Sequence, residues 1–309
     1  MTRYRAKITA AMLICCLCPL AGFAQTQVSE SGDAGMSLLL LAPSARIAAL
    51  GSGGFALYAG SSSLWSNPSS ITLAGEHTAE FTHTEWIEGI THEFASFVAR
   101  TGRETVGMSI QLFDSGDIDG RASNSAYTGA YSITTAGVSA VYAVPVGDRL
   151  SVGITARSLY QKVAEETAGG YAFDAGLMVT TPIEGLRFGA VARNYGRMNK
   201  LLDERTKLPE NIGIGGAYTG ILPRYLRQYT VLADFIFPRY GNNGMRVGFE
   251  VNALEHFVLR LGYRDDSYFE DMIYGIGFSW ARVAADIAYS PMNAVSDDAL
   301  RFTLAVTGF

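Results

Sequence analysis

Two short pairs of histidine and glutamate are the residues of this chain best suited to chemistry: His83 with Glu85, and His92 with Glu93. A histidine beside a carboxylate can act as a general base, so these pairs raise the hypothesis of a hydrolase. The surrounding sequence shows no Ser-His-Asp order and no spacing typical of metal ligands. We therefore predict that the protein is not an enzyme, with no catalytic residue, no bound metal and no cofactor.

A glycine-rich stretch, Gly51-Ser52-Gly53-Gly54, resembles a phosphate-binding loop in composition. A true loop of that kind follows a strand, opens a helix and carries a lysine, and this context is missing here. A tight turn is the better interpretation, because glycine adopts backbone conformations that other residues avoid. Asn67-Pro68 predicts a second turn, since an asparagine side chain bonds nearby backbone groups and proline fixes φ.

Single charged residues occur on the less apolar face of segments that otherwise alternate in polarity. The charged positions are Arg157, Arg187, Arg193, Asp234, Arg246, Glu250, Arg260 and Asp286. If this face points into a lumen, the charges can pair across it and hold an internal segment in place. They can equally line a permeation path, because charges that face a cavity in a membrane are often functional.

The first 24 residues predict a secretory signal peptide. Arg3, Arg5 and Lys7 form a basic start, an apolar run follows, and small residues precede a cleavage site near Gln25. All three cysteines lie within this segment, so the mature chain is expected to contain none. Disulfides and thiolate sites are thereby excluded. The net charge of −5 argues against a nucleic-acid partner, which needs a clustered basic face.

From residue 76 onward, apolar residues alternate with small or polar ones. In one example, Met108 and Ile110 share a face while Ser109 and Gln111 share the other. A period of two predicts β-strands with one apolar face. The segments run about 10 to 14 residues, which exceeds the soluble average of roughly 5 to 6 and fits a tilted membrane-spanning strand. We therefore predict an all-β transmembrane antiparallel barrel rather than a soluble sandwich.

About 14 such segments can be counted, an even number as in bacterial outer-membrane barrels. Every second connection is short, and the others are mostly long and acidic. The connections predicted to form the second group are 117–129, 164–169, 199–209, 239–243, 265–269 and 291–299, with an exception at the first hairpin. Short turns on one side and long loops on the other are typical of such barrels. This predicts outer-membrane lipid around the barrel and both chain termini in the periplasm.

The segment before the barrel does not alternate. We divide the chain into a signal peptide (1–24), an N-terminal hatch segment (25–75) and the barrel (76–309). Helical and turn-forming stretches with the apolar content of Leu57, Leu64 and Trp65 must be buried somewhere. The lumen of a barrel of this size would otherwise be open, so we expect the hatch segment to occupy it.

Four stretches of this region resemble the PorV/PorQ family of outer-membrane proteins. They are Ser44-Ala45-Arg46, Ala49 to Gly54, Ser63 to Pro68 and His83 to Trp86. That family is similar to the FadL-like long-chain fatty-acid transporters, 14-stranded barrels whose hatch carries an Asn-Pro-Ala motif. The resemblance assigns the hatch motif to Gly51, Gly53, Gly54, Trp65, Asn67 and Pro68. Here Gly60-Ser61 replaces the family's acidic pair, and Ser69 replaces its alanine.

The resemblance implies two functions. One is an accessory or docking component of type IX protein secretion, with secretion-pathway proteins or exported cargo as partners; the long acidic loops favour it. The alternative is a hatch-gated channel for hydrophobic small molecules such as fatty acids. The glycine-rich inner face beside an apolar hatch favours the alternative. The sequence-based prediction is secretion or docking, by a narrow margin.

Overall fold

The chain forms a closed antiparallel β-barrel of fourteen strands, as predicted. The computed structural model describes residues 35–309 except 87–88, 202–203, 223–226, 268–269 and 293–297. The strands in chain order are β1 (Thr78–Glu85), β2 (Thr91–Thr101), β3 (Glu104–Asp114), β4 (Ile118–Arg121), β5 (Tyr127–Tyr131), β6 (Ile133–Val146), β7 (Leu150–Val163), β8 (Glu166–Thr180), β9 (Leu186–Met198), β10 (Lys200–Leu201), β11 (Glu204–Arg205), β12 (Asn211–Leu222), β13 (Arg227–Pro238), β14 (Gly244–Asn252), β15 (Phe257–Arg264), β16 (Met272–Trp280), β17 (Val283–Ser290) and β18 (Ala299–Thr307). Pairing of β1 with β18 closes the ring, while β4 with β5 and β10 with β11 form two small hairpins outside it.

The two faces of the wall differ as the alternation predicts. On β3, Met108 is 60% exposed on the outside, whereas Ser109 and Gln111 are buried on the inside. The same division recurs on β7, where Ile154 faces out and Arg157 faces in. An outer surface this rich in exposed apolar side chains is costly in water and favourable in lipid.

The connections sort into two ends. We call the end with connections 102–103, 147–149, 181–185, 253–256 and 281–282 the turn end, and the opposite end the loop end. The prediction of a loop at 164–169 is wrong, because β7 and β8 continue to a turn at Ala164 and Glu165. Ala164 adopts a φ of 54°, a conformation that the sequence does not signal because alanine rarely takes it. The predicted loop 199–209 contains the hairpin of β10 and β11, and the hairpin of β4 and β5 begins in the predicted loop 117–129 and extends to Tyr131.

Residues 35–75, which we call the inner segment, run along the inside of the wall. Gly35 donates a backbone hydrogen bond to Lys207 at the loop end, and the segment leads into β1 at the turn end. It contains helix α1 (Ala45–Ala49), helix α2 (Ser63–Ser66) and two 3₁₀ turns, Ser37–Leu40 and Pro68–Leu73. Ser44 caps α1 through a hydrogen bond from the Ile47 N–H to its side chain.

Glycines on the inner face let the wall backbone approach this segment closely. A Cβ added at any of them would clash with the inner segment, and they are Gly153, Gly176, Gly189, Gly213, Gly248, Gly262 and Gly275. At Gly153 the added atom would lie 2.5 Å from the carbonyl carbon of Pro68. Apolar side chains fill the remaining space, with Leu64 and Ile71 packed against Phe94 and Val98 of β2. The lumen beside these residues is therefore filled by protein.

Residues 1–34, which include the predicted signal peptide and the start of the predicted hatch, lie outside the described residues. The strands of the barrel begin and end at the turn end, where Gly308 donates a hydrogen bond to His77. The first described residue, Gly35, instead lies at the loop end. Among the described residues no helix is long and apolar enough to cross a membrane.

Replacing Gly153 with valine should force the inner segment away from β7. Overpacking of this kind lowers the free energy of unfolding by about 1–3 kcal/mol. The matched control is Ala156→Val on the outward face of the same strand. Thermal unfolding in detergent can be monitored by the gel mobility of the folded barrel. The midpoint temperature should be lower for Gly153→Val and unchanged for Ala156→Val. Equal midpoints would contradict the packing role of this glycine.

Candidate functional site around the inner segment

A buried carboxylate on the wall holds the glycine-rich turn of the inner segment. Asp234 of β13 is fully buried and accepts hydrogen bonds from the N–H groups of Gly54 and Phe55, the latter at 3.2 Å. Gly54 has a φ of 120°, which few other residues adopt. At Gly53 an added Cβ would lie 2.8 Å from the Asp234 carboxylate. The turn predicted from the glycines is present, and it binds a wall side chain.

An ion ladder joins helix α1 to three wall strands. Arg46 of α1 and Arg260 of β15 both bind the carboxylate of Glu250, at 2.8 and 2.6 Å. Arg260 continues to Asp286 of β17 at 2.7 Å. Buried charges are costly to remove from water, so each member of such a ladder depends on its partners.

A second ladder reaches the inner segment from the loop end. Arg246 donates to the Ser52 carbonyl at 2.6 Å and to Asp266, and Asp266 also accepts from Arg264 at 2.8 Å. Arg264 lies 3.7 Å from Glu270, which binds Arg301 of β18. The connection between β15 and β16 is thereby linked to the glycine-rich turn.

The pKa of the Asp266 carboxyl group shows how this ladder responds to acid. Burial alone would raise its pKa, but Arg246 and Arg264 hold the pKa well below its usual range. A carboxyl group with a lowered folded-state pKa stabilises the fold above its unfolded pKa of about 3.9. That contribution is lost only as the pH falls through the folded-state value. The ladder therefore stays intact at mildly acidic pH.

Arg193 is buried without a carboxylate partner among the described residues. Its guanidinium lies 4.8 Å from the Trp65 ring and 5.2 Å from the Phe55 ring, and its Nε donates to Asn211 at 3.1 Å. Its Nη1 has no hydrogen-bond partner. Aromatic faces attract a cation but do not neutralise it. The guanidinium of Arg193 keeps its positive charge and can therefore still bind an anionic ligand.

A β-bulge explains why Asn194, next to the inward-facing Arg193, also points into the barrel. The register between β8 and β9 shifts between Phe173 and Ala175, so Arg193 and Asn194 both oppose Asp174. Asn194 takes a φ of 64°, and both residues are buried inside the barrel. Bulges re-aim side chains in this way. The period-two pattern alone cannot place two consecutive inward residues.

The other predicted lumen residues have different surroundings. Arg157 binds Asp174 at 2.9 Å together with Ser139 and Asn194, all of them wall residues. Arg187 is half-buried and lines a cavity at the turn end. Of the eight charged positions predicted on this face, Arg193, Asp234, Arg246 and Glu250 contact the inner segment, and Asp286 binds Arg260 of the wall. Arg157 and Arg260 bind wall residues, although Arg260 shares Glu250 with the inner segment.

The predicted Asn67 turn is confirmed in detail. The Asn67 Oδ1 accepts from the backbone N–H and the hydroxyl of Ser69, at 3.0 and 2.8 Å. Its Nδ2 donates to the carbonyls of Phe55 at 2.7 Å and Leu177 at 3.0 Å. Asn67 thus ties the second half of the inner segment both to the glycine-rich turn and to β8. Trp65 donates its ring N–H to Leu39 at 3.2 Å.

Sequence reasoning missed Glu80, a second wall carboxylate that binds the inner segment. Its Oε2 accepts from the Ser62 N–H at 2.8 Å, beside the start of α2. A Cβ at Gly60 would lie 1.6 Å from the Glu80 Oε1, so glycine is required where the resemblance expects an acidic residue. Glu80 follows the inward phase of Thr78 and Thr82, and this was the signal available in the sequence. The second-ladder residues Arg264, Glu270 and Arg301 were also missed.

The histidines do not form a catalytic group. His83 pairs with Glu93 on the outer face, whereas His92 is buried on the inner face. The wall therefore separates the two histidines. In the described part of the chain no three His, Cys, Asp or Glu side chains are grouped to hold a metal ion.

Two cavities lie on opposite sides of the glycine-rich turn. The loop-end cavity has a volume of about 600 Å³, and its lining includes Leu40, Arg193, Ile236, Tyr240 and Arg246. The turn-end cavity has a volume of about 480 Å³, and its lining includes Arg46, Tyr58, Arg187, Thr219 and Gln228. On β9, Gly189 lies between Arg187 and Arg193 and is covered by the Phe55 carbonyl. The turn thus separates one cavity from the other at this wall.

Comparison with known proteins gives similarity of fold. No protein-family model and no curated protein matches the sequence. The solved structures that are similar over nearly their whole length include the following three. The monoaromatic hydrocarbon channel CymD has 12% identity and a TM-score of 0.62, with 87% of this chain and 98% of CymD covered. The P. putida toluene transporter TodX has 10% identity and a TM-score of 0.58, with 85% and 96% covered. A Pseudomonas aeruginosa FadL homologue has 12% identity and a TM-score of 0.56, with 86% and 98% covered.

Replacing Asp234 with alanine should free the glycine-rich turn. Each hydrogen bond to a charged group contributes about 1.5–3 kcal/mol, and two are lost here. We expect a higher conductance in planar lipid bilayers with a barrel that still folds, judged by its gel mobility. Asp234→Asn is the matched control, because its amide oxygen can still accept both N–H groups. Identical conductance of Asp234→Ala and the wild type would show that Asp234 does not restrain the turn.

Proposed function

We propose that this protein is an outer-membrane channel for small hydrophobic molecules, gated by its inner segment acting as a hatch. The observation that carries the proposal is the pair of cavities separated by the glycine-rich turn inside a closed barrel. Similarity of fold to hydrocarbon channels and to a FadL homologue supports it. In this proposal the loop end faces the outside of the cell and the turn end faces the periplasm, which places the C-terminus there.

The loop-end cavity suits an apolar molecule with one polar end. Leu40, Pro209, Ile236 and Pro238 supply apolar surface, and Arg193 supplies a cation. A volume of about 600 Å³ lies within the range of roughly 300–1,000 Å³ for small-molecule pockets. A fatty acid has both the apolar chain and the anionic group that this lining would bind.

Passage to the turn end requires the inner segment to move. The segment is held by hydrogen bonds to Asp234 and Arg246 and by the ion pair of Arg46 with Glu250. These contacts are directional and few, so a displacement that breaks them can be coupled to ligand binding in the adjacent cavity. Arg193, which lines the cavity and contacts Phe55 and Trp65, is the residue we propose for this coupling.

The hypothesis of docking in type IX secretion gains no support from the comparisons. It stays a prediction from the resemblance. A deletion strain separates the two functions. Loss of uptake of a hydrophobic carbon source with secreted proteins unchanged would favour the channel, and the reverse would favour docking.

A disulfide between the inner segment and the wall should close the channel. The hydroxyl oxygens of Ser61 and Ser96 lie 2.7 Å apart, so cysteines at both positions are placed to bond. The three native cysteines all lie in the predicted signal peptide, so the engineered pair should be alone in the mature chain. We expect the oxidised double variant to lose uptake of a labelled fatty acid or toluene in reconstituted vesicles, and reduction to restore it.

The single variants Ser61→Cys and Ser96→Cys serve as controls, since each carries one substitution but cannot form the bond. Full uptake by the oxidised double variant would show that solutes pass without movement of this part of the inner segment, and the gating proposal would fail.

A further inference from the structure

The turn-end cavity contains an arginine with no ion-pair partner in the described part of the chain. Arg187 of β9 is half-buried, and its Nε is buried without a hydrogen-bond partner. The other arginine of the cavity, Arg46, is already paired with Glu250. Partial removal of a guanidinium from water costs free energy when no carboxylate replaces the water. A ligand that supplies the missing hydrogen-bond acceptor would offset this cost.

The rest of the lining is mostly neutral and polar, with one exposed carboxylate, Glu184. Thr219 and Thr230 face each other with their hydroxyl oxygens 3.2 Å apart, and only one of the two can donate to the other. Gln228 adds an amide, and Tyr58 points its hydroxyl toward Thr78 at 3.3 Å. Leu57 and Ile221 provide an apolar side for the body of an organic molecule. Besides Glu184 and the paired Arg46, the cavity thus offers Arg187 as a cation without an ion pair in the described part of the chain, several neutral polar groups and some apolar surface.

We propose that the turn-end cavity is a second ligand site, which binds the carboxylate of a small organic acid through Arg187. This inference rests on the proposed function, because it places the site on the exit side of the same channel. A planar guanidinium matches a carboxylate with two parallel hydrogen bonds. The volume of about 480 Å³ accommodates an aromatic or short-chain acid.

The site is separate from the one at the loop end. Arg187 and Arg193 are six residues apart on β9, a distance of about 20 Å along a strand. Gly189 and Val191 lie between them on the inner face, and Phe55 covers Gly189. Within the described residues, a guanidinium without a carboxylate partner therefore lies on each side of the glycine-rich turn. An acid that passes the turn leaves one cation and meets another, whereas a neutral hydrocarbon gains nothing from Arg187.

Calorimetric titration of the purified full-length mature protein in an uncharged detergent tests the proposal. The probes are benzoate and its neutral counterpart benzyl alcohol. We expect two benzoate sites in the wild type and one in Arg187→Gln, where the second is weakened about tenfold or more. Arg187→Lys should recover part of the lost affinity. Arg282→Gln, which removes an exposed arginine at the same end, should keep both sites, and Arg187→Gln should leave benzyl alcohol binding unchanged.

A second measurement uses only the wild type and so does not depend on correct folding of a variant. Phenylglyoxal modifies accessible arginines, and benzoate should protect Arg187 from it while benzyl alcohol should not, as read by mass spectrometry. Two intact benzoate sites in Arg187→Gln, or absence of protection, would overturn the proposal while the channel function stands. Binding of neither benzoate nor benzyl alcohol by the wild type would count against the proposed function itself.

Discussion

The backbone of a segment inside a narrow barrel is largely removed from water, so its N–H and C=O groups need partners in the protein. This requirement determines how the inner segment sits. Wall glycines let the two backbones approach, and charged side chains then bond the groups where helix α1 has ended. Asp234 accepts from Gly54 and Phe55, and Arg246 donates to the Ser52 carbonyl. The position of the glycine-rich turn then determines where each of the two cavities begins.

The inner segment is held differently on its two sides. Residues of α1 and the glycine-rich turn bind β13 to β18 through ion ladders and hydrogen bonds. Residues 64–74 pack against β2 and β6 through apolar side chains such as Leu64 and Ile71. Replacing a buried ion pair by apolar groups often costs no stability, so ladders are not the strongest way to fix a segment. The ion pairs of the ladders are directional, and a charged ligand can take the place of one partner in a pair.

The sequence predicts the barrel well because the alternation that indicates a strand depends only on neighbouring residues. Outward residues such as Met108 and Ile110 alternate with Ser109 and Gln111 whatever the rest of the chain does. Pairings inside the lumen depend on residues far apart in sequence, for example Arg46 with Glu250, and a single sequence holds no record of them. The inward charges were found, but which of them touch the inner segment was not. Asn194 shows a further limit, because it points inward only through the bulge opposite Asp174, and a bulge breaks the period that predicts direction.

The contacts also indicate which part of the inner segment can move. Residues 68–73 continue directly into β1, and Asn67 fixes their start to β8 through Leu177. Displacing them would disturb the apolar packing around Ile71 and the first barrel strand. The turn at Gly53 and Gly54 is attached by few polar bonds, and cavities on both sides leave it room. Asn67 also holds the Phe55 carbonyl, so this bond must break or stretch when the turn leaves Asp234. Movement is therefore expected to involve residues 51–61, with the Asn67 turn as its fixed support.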